Sequence, residues 1–183
     1  MTRTVVIGVG NPILSDDSVG IRIARAVQDA LVDEARVFEA RGGAAARHGV
    51  GGASEMDRVV VAEMDRVVVT EVYAGGLRLM ETLSGYDRAF LIDAVETGEA
   101  PPGTVHRFAR QDLRALRNVS GVHDTSLGMA LQVADRLSIP LPTDIRIWGV
   151  EIAEGMEFGE ELTPAVAAAV PRVVDDVLGA LKC

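Results

Sequence analysis

Two adjacent acids, Asp16 and Asp17, lie where a glycine-containing turn passes into a helix pattern that begins at Ser18. One carboxylate at this place can cap the helix and interact favourably with its dipole. The other is then free to project into a cleft. The pair is therefore a candidate for chemistry, and helix capping remains the alternative interpretation.

Asp93 and His123 are the other side chains whose positions indicate chemistry. Asp93 ends the apolar run Phe90-Leu91-Ile92, where a carboxylate is costly to bury unless it is paired or bound to a metal. His123 lies in a loop that opens a helix, where an imidazole can bind metal or transfer protons near neutral pH. The alternative interpretations are that Asp93 is only a cap or turn residue and that His123 is only a surface loop residue. Of the three histidines, His48 and His106 are weaker candidates because of their surroundings.

Several kinds of site can be built from these groups. Two carboxylates and an imidazole suit a borderline divalent ion such as Ni²⁺ or Zn²⁺. Asp17 and Asp93 could instead share a proton as an aspartic dyad. A Ser–His–Asp arrangement with Ser15 or Ser126 lacks the usual G-x-S-x-G turn. The residues alone leave these possibilities open and favour a metal-linked hydrolase only weakly.

Nucleotide binding is not expected at the turn Gly8-Val9-Gly10. The dinucleotide fingerprint needs a third glycine, where this chain has Ile13, and no lysine follows to bind a phosphate. Asp16 and Asp17 would also repel a pyrophosphate. We therefore predict no nucleotide cofactor.

The elements that must position these groups alternate between strand and helix patterns. Such alternation predicts a single α/β domain, with a mostly parallel central sheet and helices on both faces. In these sheets, sites form at the carboxyl ends of the strands. The patterns predict strands at 4–9, 87–94, 103–108 and 144–151 and helices at 18–32, 124–137 and 164–181, the last capped by Thr163 and kinked or divided by Pro171.

Composition limits the function classes. A chain of 183 residues, 48% of them hydrophobic, can bury a core as one domain. Its net charge of −9 argues against binding to nucleic acid or an anionic membrane. The single cysteine, Cys183, excludes a disulfide framework and a thiolate metal cluster. No apolar run is long enough for a membrane span and no signal peptide is evident, so we expect a cytoplasmic protein.

Residues 38–69 do not fit the alternation. They contain a Gly/Ala-rich stretch and the tandem octapeptides EMDRVVVA (55–62) and EMDRVVVT (63–70), either of which could supply the same strand. We expect an atypical flexible insertion within the single domain of residues 1–183. A hairpin of the two copies and a duplication without function are the alternatives.

Four motifs in order resemble the [NiFe]-hydrogenase maturation endopeptidase family, outside residues 38–69. They are Gly8-x-Gly10-Asn11-Pro12 with Ser15-Asp16-Asp17-x-x-Gly20, Gly85-Tyr86-Asp87-Arg88 with Ile92-Asp93-Ala94, His123-x-x-Ser126-Leu127-Gly128, and Trp148-Gly149-Val150-Glu151 with Leu162-Thr163-Pro164. The resemblance implies a three-layer α/β fold. It also implies that Asp17, Asp93 and His123 contact a metal.

The activity implied is removal of the C-terminal extension of a hydrogenase large-subunit precursor after nickel insertion, with the substrate's nickel recognised by this triad. Relatives often have Glu at the position of Asp17, which is one methylene longer. They also carry an acid and glycines after the second strand, which match Glu71 and Gly76 here. An aspartic-type mechanism would use Asp17 and Asp93 to activate water or polarise the carbonyl. A non-catalytic nickel-binding escort of the precursor is the alternative.

Overall fold

The chain forms one α/β sheet structure, seen in a computed structural model that describes residues 2–40, 58–61, 66–73, 77–110, 112, 133–134, 136–155 and 157–183. Within these ranges the strands are β1 (Arg3–Val9), β2 (Arg58–Val61), β3 (Arg66–Val72), β4 (Arg88–Val95), β5 (Val105–Ala109) and β6 (Asp144–Glu151). The helices are α1 (Val19–Ala40), α2 (Leu77–Leu83) and α3 (Pro164–Leu181), and a 3₁₀ turn spans Asp16–Ser18.

The described strands form one sheet in the order β2-β3-β1-β4-β6-β5. The four central strands β3, β1, β4 and β6 are parallel, and each edge strand is antiparallel to its neighbour. The predicted mostly parallel sheet is confirmed. Because the central strands are parallel, their carboxyl ends meet at one edge, where Gly10, Asp93 and Glu151 lie.

Side-chain alternation along the central strands builds a core on each face of the sheet. On β1 and β4, Val6, Phe90 and Ile92 pack with α1 and α3. Their neighbours Val5 and Leu91 pack on the opposite face with α2. Strands buried on both faces carry near-continuous apolar sequence, which is why these segments are recognisable from composition alone.

Most predicted boundaries agree with the structure. β6 has the predicted bounds, and Thr163 is the N-cap of α3. Of the two effects expected at Pro171, a kink or a division, the division does not occur, because α3 runs continuously from Pro164 to Leu181. Ala169 and Val173, on either side of Pro171, are both buried in the core that includes α1, so packing maintains the helix across the proline.

One predicted helix is longer in the structure than expected, and another lies mostly outside the described residues. α1 continues eight residues beyond the predicted end at about Val32, since Ala35 still packs against the core. Most of the predicted helix at 124–137 lies outside the described residues, although positions 133, 134, 136 and 137 are helical. In the described ranges, no helix is both long and apolar enough to cross a bilayer.

The tandem octapeptides form a hairpin. β2 comes from the first copy and β3 from the second, and they pair antiparallel with Arg58 opposite Val69 and Val61 opposite Arg66. β3 also pairs in parallel with β1. Of the three interpretations, the hairpin therefore describes the strand segments. Residues 66–69 belong to the central sheet, while the Gly/Ala-rich stretch lies outside the described residues.

Candidate functional site at the carboxyl edge of the sheet

The start of α1 lies unusually close to the ends of β1 and β4. A Cβ added at Gly20 would come within 3.0 Å of both the Val9 and the Ile92 carbonyl oxygens. At Gly8 it would come within 2.5 Å of the Gly20 carbonyl oxygen. Gly10 has a φ of +151° and faces the backbone of Asp17. These glycines let the chain leave β1, turn tightly and begin α1 against the sheet.

Asp17 is held inside this turn. Its side chain is almost fully buried, with 4% of the residue exposed. The backbone amide of Asn11 donates a hydrogen bond of 2.7 Å to its Oδ2. The 3₁₀ turn that carries Asp17 contacts β4, the strand that carries Asp93. Burying a carboxylate is costly unless it is hydrogen-bonded or paired, and the Asn11 amide is one group that binds this one beside the ends of two central strands.

Asp16 has a different, structural role. Its Oδ1 accepts a 2.7 Å hydrogen bond from the Thr163 amide, and its Oδ2 accepts a 2.8 Å hydrogen bond from Thr163 Oγ1. Thr163 itself makes no side-chain capping bond to α3. Asp16 therefore places its negative charge at the amino end of α3, where the helix dipole favours it. Asp16 therefore does act at the end of a helix, but at the start of α3 and not at the start of α1.

Asp93 lies near the end of β4, opposite Gly149 of β6 in the parallel register. It is half-buried. Along β4 it has the same parity as Ala89 and Leu91, whose side chains pack on the face covered by α2. The Asp93 side chain is thus expected on that face of the sheet.

His123 and Ser126 lie outside the described residues, as does His48. The helical residues that follow His123 in sequence are informative, because Ala134 is fully buried in a small cluster with Met80 of α2. This segment therefore packs on the same side of the sheet as Asp93. Among the described residues, no three His, Cys, Asp or Glu side chains form a group that could hold a metal ion.

Glu96 adds a further acid to this edge. Burial, and then the negative charges of Glu154, Asp17 and Glu151, raise the pKa of the Glu96 carboxyl. Negative charge is therefore concentrated here, a condition that a bound cation would relieve. The sequence predicts a site at the carboxyl ends of the strands, but nothing in the local pattern distinguishes Glu96 there.

Glu151, at the end of β6, is an extensively hydrogen-bonded carboxylate. Only 1% of the residue is exposed. It accepts hydrogen bonds from the amides of Thr97 (2.8 Å) and Gly98 (2.9 Å) and from Thr97 Oγ1 (2.7 Å). His106 Nε2 lies 2.9 Å from its Oε2. Glu151 thus binds the loop after β4 to the edge strand β5.

These contacts change the acidity of Glu151. Burial raises the pKa of its carboxyl, but the hydrogen bonds from Thr97, Gly98 and His106 lower it by more, so the net pKa lies below the usual range. The carboxylate is therefore ionised at neutral pH with its charge satisfied. The sequence makes His106 a weak candidate for chemistry, and the structure gives it Glu151 as a structural partner.

Glu71, which lies near the end of β3, is also hydrogen-bonded. Arg25 of α1 binds its two oxygens at 2.7 and 2.8 Å, and the Tyr73 hydroxyl donates to it at 2.7 Å. Burial raises the pKa of Glu71, but the hydrogen bonds from Arg25 and Tyr73 lower it below its usual value. Glu71 therefore connects β3 to α1.

Two other features carry no catalytic assignment. The Ser15 hydroxyl donates to the carbonyl oxygen of Glu161, so it is held in a structural bond. A shallow groove of about 400 Å³ is lined by residues 102–105 and by α3 residues including Arg172. Neither Asp17 nor Asp93 lines that groove, and we assign the site to the acidic edge instead.

Comparisons with known proteins agree with this architecture. The sequence model of the family described as "Hydrogenase maturation protease" matches residues 42–180. The hydrogenase 2 maturation protease of Escherichia coli K12 is 26% identical over 181 residues, which cover 98% of this chain and 91% of that protein.

Solved structures show the same fold. The hydrogenase-maturating endopeptidase HybD from E. coli superposes with a TM-score of 0.67 at 22% identity, covering 98% of this chain and 92% of that one. The [NiFe] hydrogenase maturation protease HycI from Thermococcus kodakarensis gives 0.61 at 16% identity, covering 100% and 94%. With a family match over more than half of its length and this fold, the chain belongs to the hydrogenase maturation protease family.

Proposed function

We propose that this protein is the endopeptidase that removes the C-terminal extension of a [NiFe]-hydrogenase large-subunit precursor after nickel has been inserted. Family membership supports the peptidase class. The finer proposal is that Asp17, Asp93 and His123 contact the nickel that the substrate carries. The cytoplasmic location expected from composition remains a prediction.

The observation that carries the proposal is the burial of Asp17 in a turn that contacts β4, the strand of Asp93. The further acids Glu96 and Glu154 add negative charge to this edge, and burial together with the charges of Glu154, Asp17 and Glu151 raises the pKa of Glu96. An edge of this kind is suited to a divalent ion that arrives with the substrate, since two carboxylates and a neutral imidazole are competent Ni²⁺ ligands.

Peptide hydrolysis at this edge requires a base and a polarised carbonyl. In the reaction we propose, the oxygen of a water molecule bonds to the scissile carbonyl carbon while its proton passes to the carboxylate of Asp17 or Asp93. The C–N bond then breaks, and the departing amine takes up a proton. Contact with the nickel centre would hold the scissile bond beside these carboxylates, which is the positioning that lowers the barrier.

The test is to incubate the full chain with purified nickel-loaded and nickel-free large-subunit precursor. We expect only the nickel-loaded form to be shortened, as followed by electrophoretic mobility and by mass spectrometry of the released peptide. Equal cleavage of both forms would show that nickel is not the recognition element.

Asp17→Asn and Asp93→Asn should abolish processing, while precursor binding is retained in part. Asp16→Asn is the matched control, because it alters the adjacent carboxylate that binds Thr163, and it should still process the precursor. A wild-type protein that binds the precursor tightly but never shortens it would support the escort function instead.

A further inference from the structure

A small exposed apolar surface lies beside the turn that holds Asp17. Leu14 and Phe158 form an isolated antiparallel bridge, and the Ser15 and Gly159 amides donate to the carbonyl oxygens of Glu157 and Ile13 at 3.0 and 3.2 Å. Phe158 is 83% exposed and Ile13 is 59% exposed. Backbone pairing therefore holds two large exposed apolar residues on adjacent segments, with Phe158 opposite Leu14 and Ile13 one position before Leu14 in the chain. We call Ile13 and Phe158 the apolar tip.

The apolar tip is firmly attached to the candidate site. Leu14 is buried beneath it, and the Ser18 amide donates to the Leu14 carbonyl oxygen. Ser15 Oγ bonds to the Glu161 carbonyl oxygen, which joins the two halves again. Ile13 lies only four residues before Asp17. A protein substrate whose scissile bond reaches Asp17 would therefore also contact the apolar tip.

The border of the apolar tip is acidic. Residues 10–18 and 151–163 contain seven Asp and Glu residues and no Lys or Arg. Four of these acids are exposed and form what we call the acidic rim: Glu154, Glu157, Glu160 and Glu161. Exposed aromatic and aliphatic side chains with a charged border are typical of protein interaction sites.

We propose that the apolar tip and the acidic rim dock the precursor protein, through an apolar depression that Lys or Arg residues border on that partner. A second copy of this chain is a poor occupant, because the net charge of −9 and the identical rims would repel. The proposal rests on the proposed function for the identity of the partner. The docking proposal goes further, because it names a surface that selects the folded substrate and that is separate from the residues that contact nickel.

The experiment compares Phe158→Ser, Ile13→Ser and the double variant with the wild-type full chain. Val37→Ser is the matched control, because Val37 is 51% exposed and lies about 27 Å along α1 from its start. Binding of nickel-loaded precursor is measured by biolayer interferometry, and processing is measured as KM and kcat. Circular dichroism and Tm check that each variant is folded.

We expect the Kd and KM of Phe158→Ser to rise about ten-fold or more, as for an aromatic residue central to an interface, with kcat nearly unchanged. Val37→Ser should match the wild type. Glu157→Gln with Glu160→Gln should weaken binding at low ionic strength and reduce its dependence on salt, because a charged border acts mainly on association.

Other results would overturn the proposal. If Phe158→Ser and Ile13→Ser keep the Kd and KM of Val37→Ser, the apolar tip does not dock the precursor. If Phe158→Ser converts a wild-type dimer into a monomer, the occupant is a second copy of this chain. If the wild type binds precursor through this surface but does not cleave it, the docking proposal stands and the endopeptidase function fails. If it neither binds nor cleaves, both fail.

Discussion

Replacing Gly20 by alanine has two opposite effects on stability: alanine has the higher helix propensity, but its methyl group does not fit the close packing of α1 against the sheet. In an ordinary helical position, Gly→Ala stabilises a helix by about 1 kcal/mol. Here the added methyl would lie within 3.0 Å of the Val9 and Ile92 carbonyl oxygens. Both belong to central strands of the sheet and cannot rotate away, so α1 must shift. Overpacking costs about 1–3 kcal/mol, and contact with two backbone groups favours the upper end.

The expected net loss for Gly20→Ala is therefore about 2 kcal/mol in the free energy of unfolding. Gly179→Ala in α3 is the matched control, because a Cβ there meets nothing within 4 Å. It should gain about 0.5–1 kcal/mol. Urea unfolding followed by circular dichroism measures both variants, with equal m-values as the check for an unchanged folded state.

The same variant should impair processing, because the shift of α1 also moves the 3₁₀ turn that carries Asp17 relative to β4. Processing is measured at a temperature where Gly20→Ala is fully folded. If Gly20→Ala proves as stable as Gly179→Ala, the close approach of α1 to the two strands is refuted. A destabilised variant with unchanged kcat would instead refute the link between this packing and the site.

Two further predictions concern carboxylates with structural roles. Glu151→Gln should lower the free energy of unfolding by about 2 kcal/mol at pH 7, because an amide nitrogen replaces an oxygen that accepts from Thr97, Gly98 or His106. Since the pKa of Glu151 is lowered by folding, its contribution is present above the unfolded pKa of about 4.3 and is lost as pH falls through the folded value. Urea unfolding from pH 7 to pH 3.5 should therefore show the difference between the two proteins become smaller, and a constant difference would contradict this. Asp16→Ala should lower stability by about 1 kcal/mol through loss of its bonds to Thr163, seen as a Tm about 2–4 °C lower by calorimetry, whereas an unchanged Tm would exclude that role.

Local sequence patterns were sufficient for much of the framework. β6 and the start of α3 were predicted where they occur, because a buried strand and an N-cap before proline have strong short-range signals. The end of α1 was predicted too early, since the contact that extends it is made by Ala35 with a distant part of the core. The continuity of α3 through Pro171 depends in the same way on packing against α1.

The octapeptide repeat shows where local information ends. Both copies contain the same RVVV segment, so no local property could decide which one lies beside β1. The structure assigns the second copy to the centre of the sheet and the first to its edge. That choice depends on pairing between strands far apart in sequence.

For the candidate site, the sequence by itself determined that Asp17 and Asp93 follow or end parallel strands and so share one edge of the sheet. Tertiary structure alone decided which of the adjacent acids binds Thr163, since Thr163 is 147 residues from Asp16. It also decided that Glu151 is a bonded internal carboxylate, because its donors lie 45–54 residues away. Periodicity records which face a residue occupies, whereas the partner of a charged group depends on how distant segments meet.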